Sequence, residues 1–488
     1  MKRRKFITNI AGLGVLSAFA PGKVFSKSLK EPGKWHIEQF KDAGLAHFSY
    51  AVLVDRKIII IDPERNPQRY YDFAKENNAA IIGVIETHPH ADFASSHLEI
   101  HQSRQATIYA SSLTKPAYPF TAFDEGHVIR LSDQVSLRSL YTPGHAPDHV
   151  AAVLQENGKD IAVFSGDALL IGDVGRPDLR DYSNNVLAQR RKLAGMMYHT
   201  IHEKFARLAD DVIVYPAHGA GSLCGKAMRD APSSTIGYEK LHNYAFEPRS
   251  ENEFVEILLS DLPFIPQYFP YDVALNIKGV PDIKIGTSGV KILEKNFHPD
   301  PEALIIDGRP AALFKNSYLT NAINVQDAAK FETWLGSVVA PDSQFYLTAK
   351  NEDDLKQLIA KTAKIGYELN IKGAFVYDEL NGNKFTQFNK DAFDPGNGKY
   401  TIIDVRTEKE VKEEKIFNNA INIPLQDLSN RISEIPTNKP ILVNCASGYR
   451  SAAGSSIIKK YLPNQQVYDL GPAVTQYQVK AAEGKGEK

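Results

Sequence analysis

The segment at residues 87–93 constrains the fold most, because it joins an apolar run to a dense group of metal-binding side chains. Residues 80–85 form a short apolar run that predicts a buried strand. His88, His90 and Asp92 follow that run at every second position. Because imidazole and carboxylate groups at this spacing can converge on one cation, we predict an α/β fold with a metal site at the end of this strand.

Three further segments carry metal-binding residues beside predicted turns or strands. His145 follows a Pro-Gly turn, Asp167 follows a predicted strand, and His218 follows another. A single histidine after a strand is usually structural. Four such segments in one chain together indicate a metal site.

The ligand types narrow the choice of metal without fixing it. Two imidazoles and one carboxylate suit Fe(II), with open positions left for O2 and substrate. Zinc accepts the same ligands, so one iron per chain and zinc remain alternatives at this point. The predicted ligands are His88, His145 and Asp167. The groups expected to orient them are His90, Asp92 and His218.

These segments resemble the metallo-β-lactamase superfamily, which writes the first loop as His-x-His-x-Asp-His. Phe93 stands where this motif ends in histidine. In the superfamily the two halves of the motif usually serve two different metals, so the resemblance implies a single metal here. It also implies an αββα sandwich, and it covers residues 34–244.

Within that superfamily, three segments of this chain resemble the persulfide dioxygenases: residues 164–171, Arg176 and residues 215–218. Those enzymes use mononuclear iron to oxidise a thiol persulfide to sulfite. The resemblance implies the same three ligands as above, and it implies that Arg176 binds substrate. Members that use glutathione carry Asp-Tyr after Pro-Ala-His, whereas this chain has Gly219 and Ala220. The carrier thiol therefore stays open.

The chain has two cysteines, Cys224 and Cys445, which cannot form a disulfide framework. Cys224 lies six residues beyond His218 in a glycine-flanked segment, which predicts an exposed loop near the metal site. It is either a small buried hydrophobic residue or a catalytic thiol that holds a persulfide near the metal.

The chain contains an internal repeat beyond residue 300. The sequence Ile-Ile-Asp-x-Arg occurs at residues 305–309 and again at residues 402–406. Asn-Ala-Ile-Asn follows at residues 321–324 in the first copy and at residues 419–422 in the second. Two separated blocks in nearly the same register indicate two copies of one α/β domain.

The second copy carries a loop that suits sulfur chemistry. Cys445 begins the loop, and a helix-like run follows it. Backbone N–H groups and the N-terminus of that helix are expected to stabilise an anionic sulfur. Arg450 adds a positive charge that suits sulfite or thiosulfate. The remaining predicted substrate-binding residues are Ser447, Gly448 and Ser451.

This loop and the repeat around it resemble rhodanese domains, which implies that Cys445 carries sulfur and that Arg450 assists it. Phosphatases with a related loop place one residue more between Cys and Arg than the four found here, so the loop favours sulfur over phosphate. Residues 348–351 occupy the same position in the first copy and include no cysteine. We therefore expect the first copy to be structural.

Composition and the N-terminus bear on partners and location. Lys and Arg total 57 against 58 Asp and Glu, which leaves no basic excess for a nucleic-acid backbone. Arg3 and Arg4 precede an apolar stretch at residues 9–20, an arrangement that resembles a twin-arginine export signal. Because this stretch is shorter than the roughly 20 residues of a membrane span, we predict an exported or periplasmic protein without a span after signal removal.

The predicted organisation has four parts: an export signal at 1–26, a metallo-β-lactamase-like domain at 34–260, a rhodanese-like domain without the cysteine at 265–375, and a rhodanese domain at 390–482. The predicted function is oxidation of a thiol persulfide to sulfite with O2, coupled to sulfur transfer between persulfide, sulfite and thiosulfate in sulfide detoxification. The alternatives are a zinc-dependent thioester hydrolase similar to glyoxalase II and a non-catalytic sulfide- or metal-binding module. A homo-oligomer and the direction of sulfur transfer stay open.

Overall fold

The computed structural model describes residues 34–180 and 186–478. The predicted export signal at residues 1–26 and the last residues of the predicted rhodanese domain lie outside the described residues. Every helix in the two described ranges is too short or too polar to cross a bilayer. These ranges form two six-stranded sheets followed by two four-stranded sheets.

The two six-stranded sheets pack face to face, and in both the neighbouring strands follow chain order. The first sheet contains β1 (Trp35–Asp42), β2 (His47–Val54), β3 (Lys57–Ile61), β4 (Ala80–Ile85), β5 (Thr107–Ala110) and β6 (Thr121–Ala122). The second contains β7 (Val128–Arg130), β8 (Val135–Tyr141), β9 (Val150–Glu156), β10 (Lys159–Gly166), β11 (Ile213–Pro216) and β12 (Ser234–Thr235).

Helices cover the outer face of each of these sheets. They are α1 (Gln68–Glu76) and α2 (His97–Arg104) on the first sheet, and α3 (Val186–His199), α4 (Ile236–His242) and α5 (Glu251–Leu259) on the second. Side chains of a β-strand point alternately to the two faces of its sheet. All eight residues of β2 are buried, so both faces of the sheet are covered at this strand. Tyr50 packs between the sheets against Phe164, whereas Leu53 packs outward with Tyr70 of α1. The predicted αββα sandwich is confirmed.

The two smaller sheets are parallel and repeat one strand order. The first, ordered β14-β13-β15-β16, contains β13 (Ile305–Asp307), β14 (Ala322–Asn324), β15 (Phe345–Ala349) and β16 (Ile371–Val376). The second, ordered β18-β17-β19-β20, contains β17 (Thr401–Asp404), β18 (Ile421–Asn422), β19 (Ile441–Asn444) and β20 (Val467–Asp469). Their helices are α6 (Phe269–Lys278), α7 (Ile283–Ser288), α8 (Ala311–Asn316), α9 (Phe331–Val338), α10 (Glu352–Lys364), α11 (Glu408–Glu413) and α12 (Tyr449–Tyr461).

The repeated residues form the same hydrogen bonds in both sheets. Arg309 pairs with Asp307, and the side-chain amide of Asn324 donates to the carbonyl oxygens of both residues at 2.8 and 2.9 Å. In the second sheet the equivalent residues, joined by bonds of 2.8 Å, are Arg406, Asp404 and Asn422. The sequence repeat therefore corresponds to one set of hydrogen bonds, found in both small sheets, that joins the first strand of each sheet to its neighbouring strand.

The two copies differ in the loop after their third strand. Cys445 to Gly448 separate β19 from α12, whereas Lys350 and Asn351 alone separate β15 from α10. The side chain of Asn351 accepts a hydrogen bond from the backbone N–H of Asp354 and so caps α10. The first copy thus places a capping side chain where the second copy has the longer loop that begins with Cys445.

The first small sheet and its helices are joined to the sandwich by buried ion pairs. Arg65 of the sandwich, 1% exposed, lies 2.8 Å from the carboxylate of Glu368, which is 4% exposed. Lys364 of α10 lies 2.7 Å from Asp42 and 3.1 Å from Glu332. One hydrophobic cluster also runs through the sandwich and both smaller sheets. These contacts make the first copy a structural bridge.

We predict that Glu368→Gln lowers the thermal unfolding midpoint by several degrees. The substitution keeps the shape of the side chain but removes the carboxylate nearest to the buried guanidinium of Arg65 and leaves Glu99, at 3.7 Å, and the more distant Asp272, which should cost about 3 kcal/mol. Circular dichroism melts would measure the midpoint, with Glu352→Gln on the exposed face of α10 as the matched control. Equal midpoints for the two variants would contradict a structural role for the pair.

Candidate metal centre and sulfur-transfer loop

The predicted metal-binding residues meet at one edge of the sandwich because each follows the end of a strand. His88 follows β4, His145 follows β8, Asp167 follows β10 and His218 follows β11. Gly166 makes the close approach possible, since its φ is +54° and an added Cβ would lie 2.3 Å from the Nε2 atom of a neighbouring imidazole. Strand order and one glycine thus bring together residues that are far apart in the chain.

His88 and His145 each direct a ring nitrogen toward the carboxylate of Asp167, whereas the compact group of three that includes His88 and Asp167 has His90 as its third member. The Oδ2 atom of Asp167 lies 3.8 Å from Nε2 of His88 and 3.6 Å from Nε2 of His145. The Nδ1 atom of His145 lies 2.9 Å from the carbonyl oxygen of Arg176, and that of His88 lies 3.0 Å from the hydroxyl of Thr87. These partners leave both Nε2 atoms directed inward. Such second contacts fix the orientation of metal-binding imidazoles.

The charge of Asp167 also suits a metal ligand. Burial opposes its ionisation, but the charge and hydrogen bond of His218, together with His145, hold the pKa of this carboxyl well below its ordinary value. Its Oδ2 atom is buried and has no hydrogen-bond partner among the described residues. An orphaned anionic oxygen facing two imidazole nitrogens fits a bound cation.

His90, Asp92 and His218 form a second group directly beside the first. The Nδ1 atom of His218 lies 2.7 Å from Asp167, and its Nε2 atom lies 2.9 Å from Asp92. Burial alone would lower the pKa of His218, but these two carboxylates raise it well above the ordinary value. The ligand atoms of His90, Asp92 and His218 lie within 4.8 Å of one another. The geometry therefore offers more than one cluster of donors, and the ligand set stays a prediction.

Phe93 closes one side of the site with an aromatic ring. It is 1% exposed, and its ring centroid lies 4.1 Å from that of His47 and 4.4 Å from that of His90. A histidine at this position would have added a donor to the second group. The phenyl ring instead packs against two imidazoles, so this half of the motif lacks one of its ligands.

Three residues that support the site were not predicted from the sequence. His149 accepts a hydrogen bond from the backbone N–H of Asp167 at 3.1 Å. Asp62 accepts one from the N–H of Thr87 at 2.7 Å and lies 3.2 Å from His90, and His47 packs on Phe93. Asp62 could have been found, because it directly follows the apolar run of β3 just as other site residues follow strands. The roles of the two histidines depend on contacts that the sequence alone does not reveal.

A helix outside the sandwich holds the metal-binding loop in place. The side-chain amide of Asn276, in α6, donates to the carbonyl oxygens of His90 and Phe93, both at 2.8 Å. Its oxygen accepts from the N–H of Ser95, also at 2.8 Å. The hydroxyl of Tyr268, just before α6, donates to the carbonyl of Asp92 at 3.3 Å. The loop therefore depends on a segment that begins about 50 residues beyond the last predicted metal-site residue.

Arg176 is buried and fully engaged within the protein. Its guanidinium donates to Asp178 at 2.6 and 2.8 Å and to the carbonyl oxygens of Leu223, Pro263 and Phe264 at 2.6 to 3.3 Å. Its own carbonyl oxygen orients His145. These bonds give Arg176 a positioning role in the structure, and its predicted binding of substrate stays a prediction.

The expectation of an exposed Cys224 is wrong. The residue is 1% exposed, because the loop that carries it packs into the cluster shared by the sandwich and the smaller sheets. Its sulfur nevertheless lies within 4.8 Å of ligand atoms of Asp167 and His218. Burial and the charges of Asp92 and Asp167 raise the pKa of the thiol to about 12, so the thiol is neutral at neutral pH.

The Cys445 loop forms a small cradle around its sulfur. The backbone N–H of Gly448 donates to Sγ at 3.1 Å. Gly448 has a φ of +102°, and an added Cβ would lie 2.8 Å from the backbone of Gly471, so the position requires glycine. The hydroxyl of Ser451 donates to the carbonyl of Gly448 at 3.3 Å, whereas Ser447 is exposed at the mouth of the loop.

Arg450 is held beside this loop by Glu410. Two hydrogen bonds of 2.6 and 2.7 Å join the guanidinium to the carboxylate. Burial would raise the pKa of Glu410. The hydrogen bonds and charge of Arg450, together with the hydrogen bonds of Thr407, lower it to about 2. The guanidinium also lies 5.7 Å from the centroid of the Trp334 ring. Arg450 is therefore fixed in position before any anion binds.

Comparison with known proteins gives two family matches. Residues 43–218 match the metallo-beta-lactamase superfamily, and residues 390–477 match the rhodanese-like domain. The second match covers the copy with Cys445, and the rhodanese-like nature of the first copy stays a prediction.

Individual relatives support the same assignment. The human mitochondrial persulfide dioxygenase ETHE1 is 30% identical over 226 residues, which are 46% of this chain and 79% of that protein. A hydroxyacylglutathione hydrolase of Francisella tularensis subsp. novicida is 25% identical over 53% of this chain and 98% of its own. The crystal structure of a metallo-beta-lactamase from Staphylococcus aureus is 27% identical with a TM-score of 0.62, and the alignment covers 70% of this chain and 99% of that one. The 70% of this chain included in that alignment is more residues than the sandwich alone contains.

We predict that Asn276→Ala weakens metal binding by roughly 10- to 100-fold, because the loop that carries His90 loses three hydrogen bonds. Metal retention in competition with a chelator would measure the effect. The matched control is Asn370→Ala, which removes an amide bond of 2.7 Å to Pro341 far from the metal site. Equal metal retention in the two variants would show that α6 does not position the loop.

We predict that the Glu410–Arg450 pair loses its stabilising effect in acid. The pKa of Glu410 is lowered from 4.5 to about 2. Its contribution to the free energy of unfolding is therefore fully present above pH 4.5 and disappears as the pH falls through about 2. The difference in melting midpoint between wild type and Glu410→Gln should therefore be constant near neutral pH and shrink in acid. Glu413→Gln, at an exposed position of the same helix, is the control. A difference that does not change with pH would contradict the lowered pKa.

Proposed function

We propose that this chain, which belongs to the metallo-β-lactamase superfamily and is related to its persulfide dioxygenases, oxidises a thiol persulfide to sulfite with O2. We further propose that its rhodanese domain moves sulfur between persulfide, sulfite and thiosulfate. The observation that carries the proposal is one chain with both a buried His/His/Asp cluster and a cysteine loop whose N–H donates to sulfur. Together these sites suit the detoxification of sulfide.

His88, His145 and Asp167 are the residues that would hold the metal in this proposal, because the Nε2 atoms of both histidines face the Oδ2 atom of Asp167 at 3.8 and 3.6 Å. Fe(II) bound there would supply the one-electron and O2 chemistry that zinc does not perform. The choice of iron belongs to the proposal, since the donor set suits either metal.

Neighbouring residues prepare this site before a substrate binds. Thr87 and the carbonyl of Arg176 hold the two imidazoles so that their Nε2 atoms stay free. His218 lies 2.9 Å from Asp92 and 2.7 Å from Asp167, and positive charge on its ring would offset the negative charge of these buried carboxylates. These groups keep a substrate's terminal sulfur among fixed charges rather than water.

The sulfur-transfer reaction uses Cys445 as the nucleophile. Its thiolate attacks the outer sulfur of a carrier persulfide, a new S–S bond forms on Sγ, and the carrier thiolate leaves with the electrons of the old bond. The sulfur of sulfite then attacks the outer sulfur of the Cys445 persulfide. This step forms thiosulfate and returns the Cys445 thiolate. The N–H of Gly448 donates to the sulfur throughout, and Arg450 supplies positive charge for the bound anion.

A zinc-dependent thioester hydrolase is the second candidate for the sandwich. The likeness to a hydroxyacylglutathione hydrolase over nearly the whole length of that protein favours it, as do the intact side chains of His90, Asp92 and His218. Phe93 weighs against it, because two-metal hydrolysis would lack one donor.

We also propose export of the protein through its twin-arginine-like N-terminus.

We predict that Cys445→Ser abolishes thiosulfate-linked sulfur transfer and spares persulfide-dependent O2 uptake, because the two reactions use separate sites. An oxygen electrode and a thiosulfate assay on the same samples would measure both. Ser433→Ala, at an exposed position of the same domain outside the Cys445 loop, is the control and should keep both activities. Transfer that survives in Cys445→Ser would exclude Cys445 as the nucleophile.

The companion variant Cys224→Ser tests the second thiol. A catalytic Cys224 requires that O2 uptake fall steeply while the melting midpoint stays close to that of wild type. Unchanged turnover would assign this buried residue to packing, in line with its place in the shared hydrophobic cluster.

A further inference from the structure

The first copy of the repeat reaches the Cys445 loop from behind through one lysine. Lys315, near the end of α8, places its ammonium group 2.5 Å from the Oδ2 atom of Asp469 in the second copy. The side chain of Asp469 is buried, and Oδ2 has no hydrogen-bond partner among the described residues. A lysine of one domain therefore supplies the counter-charge for a buried carboxylate of the other.

Asp469 connects this lysine to the reactive sulfur. Its Oδ1 atom accepts a hydrogen bond from the backbone N–H of Gly471 at 2.9 Å. The backbone of Gly471 packs directly on Gly448, where an added Cβ would lie 2.8 Å from it. Gly448 in turn donates its N–H to the Sγ atom of Cys445 at 3.1 Å. A continuous series of contacts thus leads from Lys315 to the sulfur.

The backbone of Lys315 is fixed where the two copies join. Its carbonyl oxygen accepts a hydrogen bond from the N–H of Phe385 at 2.9 Å. Phe385 lies in the segment between β16 and β17, and its ring packs against those of Phe314 and Tyr318. The lysine therefore extends toward Asp469 from an anchored position in the chain.

A second set of contacts from the first copy holds the helix that follows the loop. The hydroxyl of Tyr449, the first residue of α12, donates to the carbonyl oxygen of Gln326 at 2.9 Å. Farther along α12, the hydroxyl of Ser456 accepts a hydrogen bond from the N–H of Asn324 at 3.0 Å. Because β14 is an edge strand, this bond satisfies an N–H that no neighbouring strand accepts. The first copy therefore fixes both the start and the middle of α12.

The orientation of α12 matters because its N-terminus directly follows the loop. β19 ends at Asn444, Cys445 comes next, and α12 begins at Tyr449. The N–H groups at a helix N-terminus carry partial positive charge, which stabilises an anionic sulfur beside them. Arg450, the second residue of α12, adds its guanidinium to this end and contacts the ring of Trp334 in the first copy. A shift of α12 would therefore move several positive groups away from the sulfur together.

We propose that the first copy completes the sulfur-transfer site, with Lys315 and Tyr449 as positioning residues for Cys445. Lys315 keeps the N–H of Gly448 against Sγ from behind, and Tyr449 keeps the N-terminus of α12 directed at the loop. The consequence for turnover rests on the proposed function, whereas the consequence for the reactivity of the sulfur rests on these contacts alone. A copy of the repeat that has no thiol thereby sets the reactivity of the copy that has one.

Alkylation by iodoacetamide tests the proposal in the full-length protein without turnover, since its rate reports the nucleophilicity of the sulfur. Mass spectrometry locates the adduct on Cys445 and distinguishes it from one on Cys224. Lys315→Met should slow alkylation of Cys445 by roughly tenfold, because displacement of Gly448 removes a hydrogen bond to the anionic sulfur. Tyr449→Phe, which removes one hydroxyl, should slow alkylation by a smaller factor.

The repeat itself supplies a matched control. Lys412 of α11 occupies the position in the second copy that Lys315 has in the first, and it is exposed. Lys412→Met, and Tyr461→Phe at the exposed end of α12, should leave the alkylation rate unchanged. Lys315→Arg keeps the positive charge and should restore most of the rate. Rates in Lys315→Met and Tyr449→Phe equal to those of the controls would overturn the proposal, as would a Lys315→Arg variant as slow as Lys315→Met.

Activity measurements then separate this proposal from the function on which its consequence for turnover rests. Lys315→Met should slow sulfur transfer by about the factor by which it slows alkylation, and it should leave persulfide-dependent O2 uptake unchanged. Loss of O2 uptake by the same factor would overturn the proposal, because it would indicate a general disturbance of the fold. Wild-type protein that transfers no sulfur, while alkylation of its variants follows the expected order, would contradict the proposed sulfur transfer and support the positioning role.

Discussion

The rest of the metal site depends on the contacts of one buried carboxylate, that of Asp167. One oxygen bonds to His218, the other faces His88 and His145, and the backbone N–H of the residue bonds to His149. A buried anion is costly unless charges and donors surround it. Residues at strand ends of both six-stranded sheets supply those partners. The packing of the two sheets therefore stabilises the buried carboxylate. A cation among the same groups would complete the compensation.

The domain without a cysteine has a physical reason to be present. Its ion pairs with the sandwich, above all Arg65 with Glu368, tie it to the part of the chain that carries the metal site. The preceding helix α6 holds the metal-binding loop through Asn276. The same region supplies Trp334, which contacts Arg450 beside the other reactive centre. This domain therefore contacts both parts of the chain that carry the predicted reactive centres.

Much of this arrangement could be predicted from the sequence because it follows local rules. Strand-end residues such as His88 and Asp167 and the repeat around Asp307 and Asp404 are visible as short patterns. Contacts across long sequence separations are not visible in this way. Asn276 reaches a loop more than 180 residues earlier, as its bonds to His90 and Phe93 show. The same limit explains why Cys224 was expected to be exposed, since the surface that buries it belongs to other domains.

In the proposed function the sandwich is an iron-dependent oxygenase of a thiol persulfide. The most direct measurement is O2 uptake, with sulfite as the product, by protein loaded with iron or with zinc and given a low-molecular-weight persulfide. We expect persulfide-dependent O2 uptake and sulfite formation with iron, neither with zinc, and loss of both in Asp167→Asn. Iron-loaded protein that consumes no O2, while zinc-loaded protein cleaves a glutathione thioester, would contradict the proposed function.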